Sequence, residues 1–222
     1  MKKWIWLPAA LVSILVPVIL VLSSIWILIH PAFLNYEYKL KNFPPDEYGF
    51  TTAERQLWGT QSLVYLINSE GISFLEELKF DDGTPIYNQR ELSHMADVKV
   101  LVQLSIKILI GALLLFLGLT LFGFFAKWMR KYWKAIVTGG WLTLGLIGFI
   151  LAGTLINFDE LFTQFHHLFF TGDTWLFYAN DTLIRLYPLK LWSDAFIFMG
   201  VVTLIGILLA IVGGTLAAKR VK

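Results

Sequence analysis

The sequence predicts an all-α polytopic membrane protein: four transmembrane helices with a small extracytoplasmic cap, helical with a short hairpin. Three observations predict it. Of the 222 residues, 57% are hydrophobic, too many for an ordinary soluble domain. Four apolar runs, at about 4–29, 101–125, 136–156 and 191–216, each reach the roughly 20 residues a helix needs to cross the hydrocarbon core. Charge is segregated between the runs: all 16 acidic residues fall in 30–98 and 157–194.

The two termini and the 126–134 loop, free of acid, carry nine basic residues: Lys2, Lys3, Lys127, Arg130, Lys131, Lys134, Lys219, Arg220 and Lys222. Basic residues near span ends stay cytoplasmic. Both termini and the 126–134 loop are therefore expected inside, and the extracytoplasmic segments 30–98 and 157–190 outside. The net charge of +2 implies no nucleic-acid partner, because these basic residues serve topology and anionic inner-leaflet lipid. The chain has no cysteine, which excludes disulfides, a thiol nucleophile and a cysteine metal site.

Taken in order, the first run follows Lys2 and Lys3 as a secretory signal would. It exceeds the apolar core of such a signal, about 7–15 residues, and lacks a clear small-x-small cleavage site, so it reads as a retained helix. His30-Pro31 ends it. Pro44-Pro45 marks a turn, and Thr51 with Glu54 forms a capping box for a helix to about Asn68, with Leu57, Trp58, Val64, Tyr65 and Ile67 on its apolar face and Gly71 stopping it. Residues 72–87 around Asp81-Asp82-Gly83 read as a hairpin or a short extended excursion. Asn88 with Glu91 makes a second capping box, opening a helix that runs unbroken into the second span. Beyond the third span, Phe158, Phe162, Phe165 and Phe169 recur at helical spacing on one greasy face, as in an interfacial helix. Gly172-Asp173 breaks it, and 175–187 returns to the fourth span through Pro188.

Candidate chemistry lies in the two acidic segments. His94 and Asp97 are three apart on a helix, with Glu91 one turn back, and a carboxylate beside an imidazole can fix its tautomer and raise its basicity. A solvated helix end is the plain alternative. His166 and His167 sit in an otherwise apolar run, where desolvation favours neutral imidazole; anchoring rings on an interfacial helix would look the same. His30 reads as an anchor. Lys99, Gln103 and Lys107 form a polar stripe roughly opposite His94, with Lys107 either functional or snorkelling. Trp175, Trp192 and Tyr187 fit an aromatic belt. His94, Asp97, His166 and His167 would suffice as metal ligands, but no H-E-x-x-H or other tight spacing is present, so no metal and no cofactor is assigned.

Two blocks carry a family resemblance: residues 91–99 (E-L-S-H-M-A-D-V-K) and 165–188, which opens F-H-H-L-F-F-T-G-D-T-W-L-F and closes D-T-L-I-R-L-Y-P. Together, on a four-span layout, they resemble the lipoprotein intramolecular transacylase (Lit) family of Gram-positive bacteria. The resemblance implies an enzyme of the bacterial cell membrane whose partners are a diacylglyceryl-lipoprotein substrate and membrane lipid. It would move the substrate's sn-2 acyl chain to the α-amino group of its N-terminal cysteine, giving the lyso-form. The family's two histidines fall on His94, within H-x-x-D-V-K, and His166, within F-H-x-x-F-F; His167 has no such match. Asp97, Lys99 and Trp175 are counted as supporting residues. In this reading His94, steadied by Asp97, is the general base, and His166 polarises the ester carbonyl or protonates the leaving glyceryl oxygen, with the two roles exchangeable. The rival readings are a non-catalytic scaffold or sensor with a protein-binding outer cap, and a metal-dependent membrane hydrolase.

Overall fold

A computed structural model of the chain describes residues 6–221. Lys2, Lys3 and Trp4, which opened the first apolar run, and Lys222 lie outside the described residues. In chain order the helices are α1 (Trp6–Leu28), α2 (Pro31–Glu37), α3 (Thr52–Ile67), α4 (Ser73–Glu76), α5 (Gln89–Phe125), α6 (Met129–Ile156), α7 (Phe158–Phe169), α8 (Thr182–Leu186) and α9 (Leu189–Leu208). A π-type turn, Leu209–Gly213, joins α9 to α10 (Gly214–Arg220). Among the described residues, four helical stretches are long and apolar enough to cross a membrane: α1, α5, α6 and the continuous run from α9 to α10.

The chain packs as two compact units. One gathers the described residues up to Trp26, Ile106–Leu155 and those from Ile197 onward; the other is Ile27–Ser105 with Ile156–Phe196. In the first unit, Val12 and Val16 of α1 pack on Trp128, Tyr132, Ala135 and Ile136 at the start of α6. Gly139 lets the two helices meet: a Cβ there would stand 2.6 Å from Val16 Cβ and 2.8 Å from the Ser13 carbonyl oxygen. Small residues serve such close approach because lipid supplies no hydrophobic force between helices. Hydroxyls add polar ties, Ser13 Oγ donating to Ala135 O at 3.0 Å and Thr203 Oγ1 to Ser24 Oγ at 3.1 Å.

The expected 126–134 loop is much shorter than charge patterning suggested. Lys127 turns the chain at φ 55°, and α6 already begins at Met129, so Arg130, Lys131 and Lys134 ride on its first turns. Basic side chains mark the end of an apolar run without ending a helix, since Lys and Arg are good helix formers.

In the second unit both expected capping boxes form. Thr51 Oγ1 accepts from Glu54 N at 3.2 Å while the Glu54 carboxylate accepts from Thr51 N at 2.7 Å. Asn88 Oδ1 accepts from Glu91 N at 3.1 Å while Glu91 Oε2 accepts from Asn88 N at 2.8 Å. The second box launches the 37 residues of α5 without a break. The core gathers Phe50, Tyr65, Leu66, Leu75, Ile86, Tyr87, Leu92, Met95, Leu183 and Leu186.

Three local expectations are corrected. The buried face of α3 is Arg55, Gly59, Ser62, Tyr65 and Leu66, whereas Leu57 and Ile67 are exposed. Its buried polar groups are matched by partners that hydropathy cannot show: Tyr187 Oη donates to Gly59 O at 2.8 Å, and Tyr87 Oη bonds Ser62 Oγ at 2.6 Å. The helix ends at an extended Asn68, as expected, with Gly71 lying beyond its cap. The expected hairpin is α4 followed by one antiparallel bridge, Lys79 to Pro85, around Gly83 at φ 84°. Arms this short cannot hold a ladder alone. His30 proves to be the N-cap of α2, its Nδ1 accepting from Ala32 N at 3.3 Å, with Pro31 at the first helical position.

Candidate active site

Two segments far apart in sequence are laced together by hydrogen bonds, and that lacing sets the histidines face to face. Thr182 Oγ1 donates to Ile86 O at 2.5 Å, Leu183 N to Glu91 Oε1 at 2.7 Å, and Asn88 Nδ2 to Asp181 Oδ1 at 2.9 Å. Arg90 Nη1 donates to Leu176 O at 3.3 Å, between Trp175 and Phe177. The start of α5, which carries His94, is thus fixed against the 175–183 return. The other wall is α7, opened by Asn157, whose Oδ1 accepts from Glu160 N at 3.1 Å. His166 lies one helical turn beyond Phe162 and two beyond Phe158, so it continues their half-buried stripe as its buried member.

The His94 and His166 rings lie 6.3 Å apart between centroids, 23° from parallel, and each residue is 9% exposed. Aromatic rings enclose them. Phe170 stands 4.9 Å from His94 and 5.6 Å from His166, Phe177 meets His94 at 5.3 Å, and Phe162 and Trp175 meet His166 at 4.1 and 4.7 Å. His166 Nδ1 bonds the Phe162 carbonyl oxygen at 2.7 Å. A carbonyl can only accept, so Nδ1 carries the proton and the lone pair of neutral His166 is on Nε2. Burial holds the His166 pKa below the usual imidazole value; the bond to Phe162 O opposes that shift and His167 adds to it.

His94 differs. Its Nδ1 is buried without a hydrogen-bonding partner among the described residues, and so is Trp175 Nε1. Asp97, expected to steady His94, is exposed and makes no bond to it. Position 97 turns outward on α5 while position 94 turns to the core, a divergence that three-residue spacing alone does not reveal. Lys99 is also elsewhere. Its Nζ donates to Asn68 Oδ1 at 2.8 Å and Glu70 O at 2.6 Å and lies 4.0 Å from the Tyr65 ring centre, while Gln103 Nε2 donates to Asn68 O at 3.1 Å. The stripe opposite His94 therefore closes the C-terminal end of α3, where a cation is favoured. Lys107 is exposed. His167 is exposed and touches Trp175 edge-on at 5.3 Å. Among the described residues, no group of three or more His, Asp or Glu side chains is placed to hold a metal ion.

Sequence reasoning missed Phe170 and Phe177 as walls, and the Phe162 carbonyl as the group that orients His166. The signal was present for the last: a residue four before a helical histidine puts its carbonyl within reach of the ring.

Residues 10–192 match the family model described as lipoprotein intramolecular transacylase Lit. The chain belongs to that family. It is an integral membrane enzyme, an intramolecular transacylase, and this replaces the scaffold and hydrolase readings. An uncharacterized protein of Aquifex aeolicus (strain VF5) is 28% identical over 190 residues, 86% of this chain and 85% of its own. The fold is shared with the in meso structure of Lit from Bacillus cereus, at a TM-score of 0.84 and 20% identity over 99% of this chain and 98% of that one. A histidine-to-arginine variant of the Bacillus cereus protein gives 0.75 and 19%, over 96% and 92%.

Proposed function

We propose that this transacylase acts at the outer face of a bacterial cell membrane, with both termini cytoplasmic, on a diacylglyceryl-lipoprotein. It moves the sn-2 acyl chain to the α-amino group of the lipoprotein's N-terminal cysteine. The amine nitrogen attacks the ester carbonyl carbon, a C–N bond forms, and the bond from that carbon to the glyceryl oxygen breaks. The amine gives up a proton and the glyceryl oxygen gains one, so the products are an amide and a free hydroxyl, and no water is consumed.

The observation that carries the reading is the bond from His166 Nδ1 to Phe162 O, which leaves a basic Nε2 in an aromatic enclosure with a second imidazole 6.3 Å away. It supports His166 as general base and His94 as the group that polarises the carbonyl or protonates the glyceryl oxygen. That is the exchange of roles left open by the sequence, favoured because His166 has an orienting partner and Asp97 does not supply one to His94. Trp175 supports His166 by packing on its ring. Lys99 contributes at a distance, by fixing α3 against α5. An α-amine has a pKa near 8, so about a tenth is unprotonated at pH 7, a cost of only about 1–1.5 kcal/mol. Donor and acceptor share one molecule, so the enzyme has mainly to hold the attack geometry and move protons.

Mass spectrometry of an N-terminal lipopeptide, from cells lacking N-acyl transfer and expressing or lacking this protein, tests the proposal. One acyl chain should move to the cysteine nitrogen with the total acyl count unchanged. Persistence of the diacylglyceryl form with folded protein in the membrane would sink it for that substrate.

The pH profile gives a second expectation. An unshifted base near pH 6.5 would protonate along with the amine, and kcat/KM would fall about 100-fold per unit below that point. A base held lower stays neutral there and leaves only the amine's single proton, about tenfold per unit. The shift of His166 predicts the shallower limb continuing below pH 6.5. A limb that steepens at 6.5 removes desolvated His166 as the base.

A further inference from the structure

Away from the histidines, the second unit has a half-open pocket of about 380 Å³ with Tyr38, Phe43, Asp46, Thr52 and Arg55 in its wall. Arg55 is 5% exposed. Its Nη1 donates to Pro44 O at 2.8 Å, and its guanidinium lies over the Tyr38 and Phe43 rings at 5.0 and 4.9 Å. Among the described residues its buried Nε has no hydrogen-bonding partner and no carboxylate forms an ion pair with it.

The acid on this wall is already engaged. Asp46 holds Arg185 in a fork, Nη2 to Oδ2 at 3.0 Å and Nε to Oδ1 at 3.2 Å, and also accepts from Phe50 N at 2.6 Å. Glu54 is occupied by its capping box, its Oε2 accepting from both Thr51 N and Thr51 Oγ1. Asp46 and Glu54 balance Arg55 and Arg185 in formal charge, but neither carboxylate bonds Arg55. A buried guanidinium nitrogen without an acceptor is costly, and the guanidinium fork fits the oxygens of an anion. The wall also contains the opening turn of α3, a 16-residue helix whose first N–H groups and positive dipole end face outward along its axis. Thr52 in that turn is exposed and its hydroxyl makes no hydrogen bond within the described residues.

We propose that this pocket is an oxyanion site that takes a phosphate group, bound by Arg55 and by the Thr52 hydroxyl with the first amides of α3. Donors arriving from separate residues suit a tetrahedral group with several free oxygens better than a planar carboxylate. The phosphate is either a free anion or the phosphodiester of a membrane phospholipid. The site shares no residue with the histidine pair, so it stands or falls apart from the acyl-transfer mechanism.

The test uses the full chain in non-ionic detergent, titrated with inorganic phosphate and, separately, with short-chain phosphatidylglycerol, following the unfolding temperature. The wild-type protein should show a saturable rise, and Thr52→Val and Arg55→Gln should each need about tenfold more probe to reach half of it, the loss expected for one charge-assisted or ligand-facing hydrogen bond. A rise with both probes identifies free phosphate; a rise with the lipid alone identifies a headgroup. Thr52 is exposed, so its variant keeps the test decisive even if Arg55→Gln folds poorly. No rise with either probe, or a rise that Thr52→Val leaves at the same concentrations, overturns the proposal.

Discussion

Replacing His166 with alanine is expected to lower the rate of intramolecular acyl transfer by about 10²–10⁴-fold, the usual contribution of a positioned general base. The loss should appear in kcat with KM little changed, because the proton moves only as the amine attacks. Alanine also opens a gap among Phe162, Phe170 and Trp175, which lie 4.1, 5.6 and 4.7 Å from the His166 ring, so a folding defect has to be separated from a chemical one. His166→Asn does that. An asparagine amide can donate to Phe162 O from the Nδ1 position while offering no basic nitrogen in place of Nε2. It should be as inactive as the alanine variant and unfold near the wild-type temperature. His94→Ala should cost a similar factor, and the double variant little more than the worse single one, since both groups serve one step. The measurement is single-turnover conversion of a synthetic diacylglyceryl-cysteine peptide in lipid, read by mass. Near-normal conversion by either single variant would remove that histidine from the mechanism.

What the sequence disclosed follows from how local each signal is. Thr51 with Glu54 and Asn88 with Glu91 are contacts within one turn, so both boxes and the unbroken α5 could be read from spacing. The pairing of the two histidine segments came only through the family resemblance, because no spacing rule links positions 94 and 166. The buried stripe of α3 was invisible for another reason. Arg55, Gly59 and Ser62 are polar or small, and they are buried because Pro44, Tyr187 and Tyr87 approach from elsewhere. Asp97 shows the converse error. A carboxylate three residues from a histidine has the right spacing, yet their side chains diverge between solvent and core, and the orienting role falls to a backbone carbonyl on a different histidine. Backbone acceptors have no sequence signature, so such partners emerge only from the folded chain.

Glu91 should prove the most sensitive position for folding outside the membrane-spanning runs. It is 1% exposed, and its two oxygens take separate donors, Asn88 N at 2.8 Å and Leu183 N at 2.7 Å. One side chain therefore caps α5 and fixes the N-terminal part of α8 to it. Glu91→Leu leaves the buried Leu183 N–H and the part-buried Asn88 N–H without their acceptor and is expected to cost about 2–4 kcal/mol, enough to unfold a marginal protein. Glu91→Gln is nearly isosteric but not conservative. One carboxamide oxygen can serve one donor, and the amide NH₂ then confronts the other N–H, so a loss of about 2 kcal/mol is expected. Because Leu183 continues the return that carries Phe177 against His94, the glutamine variant should also lose transfer activity while still folded at low temperature. That combination separates it from His166→Asn, which should lose activity alone. Thermal unfolding of both variants in the same detergent decides the matter: a Glu91→Gln protein that unfolds at the wild-type temperature would mean that the paired bonds do not hold the two segments together.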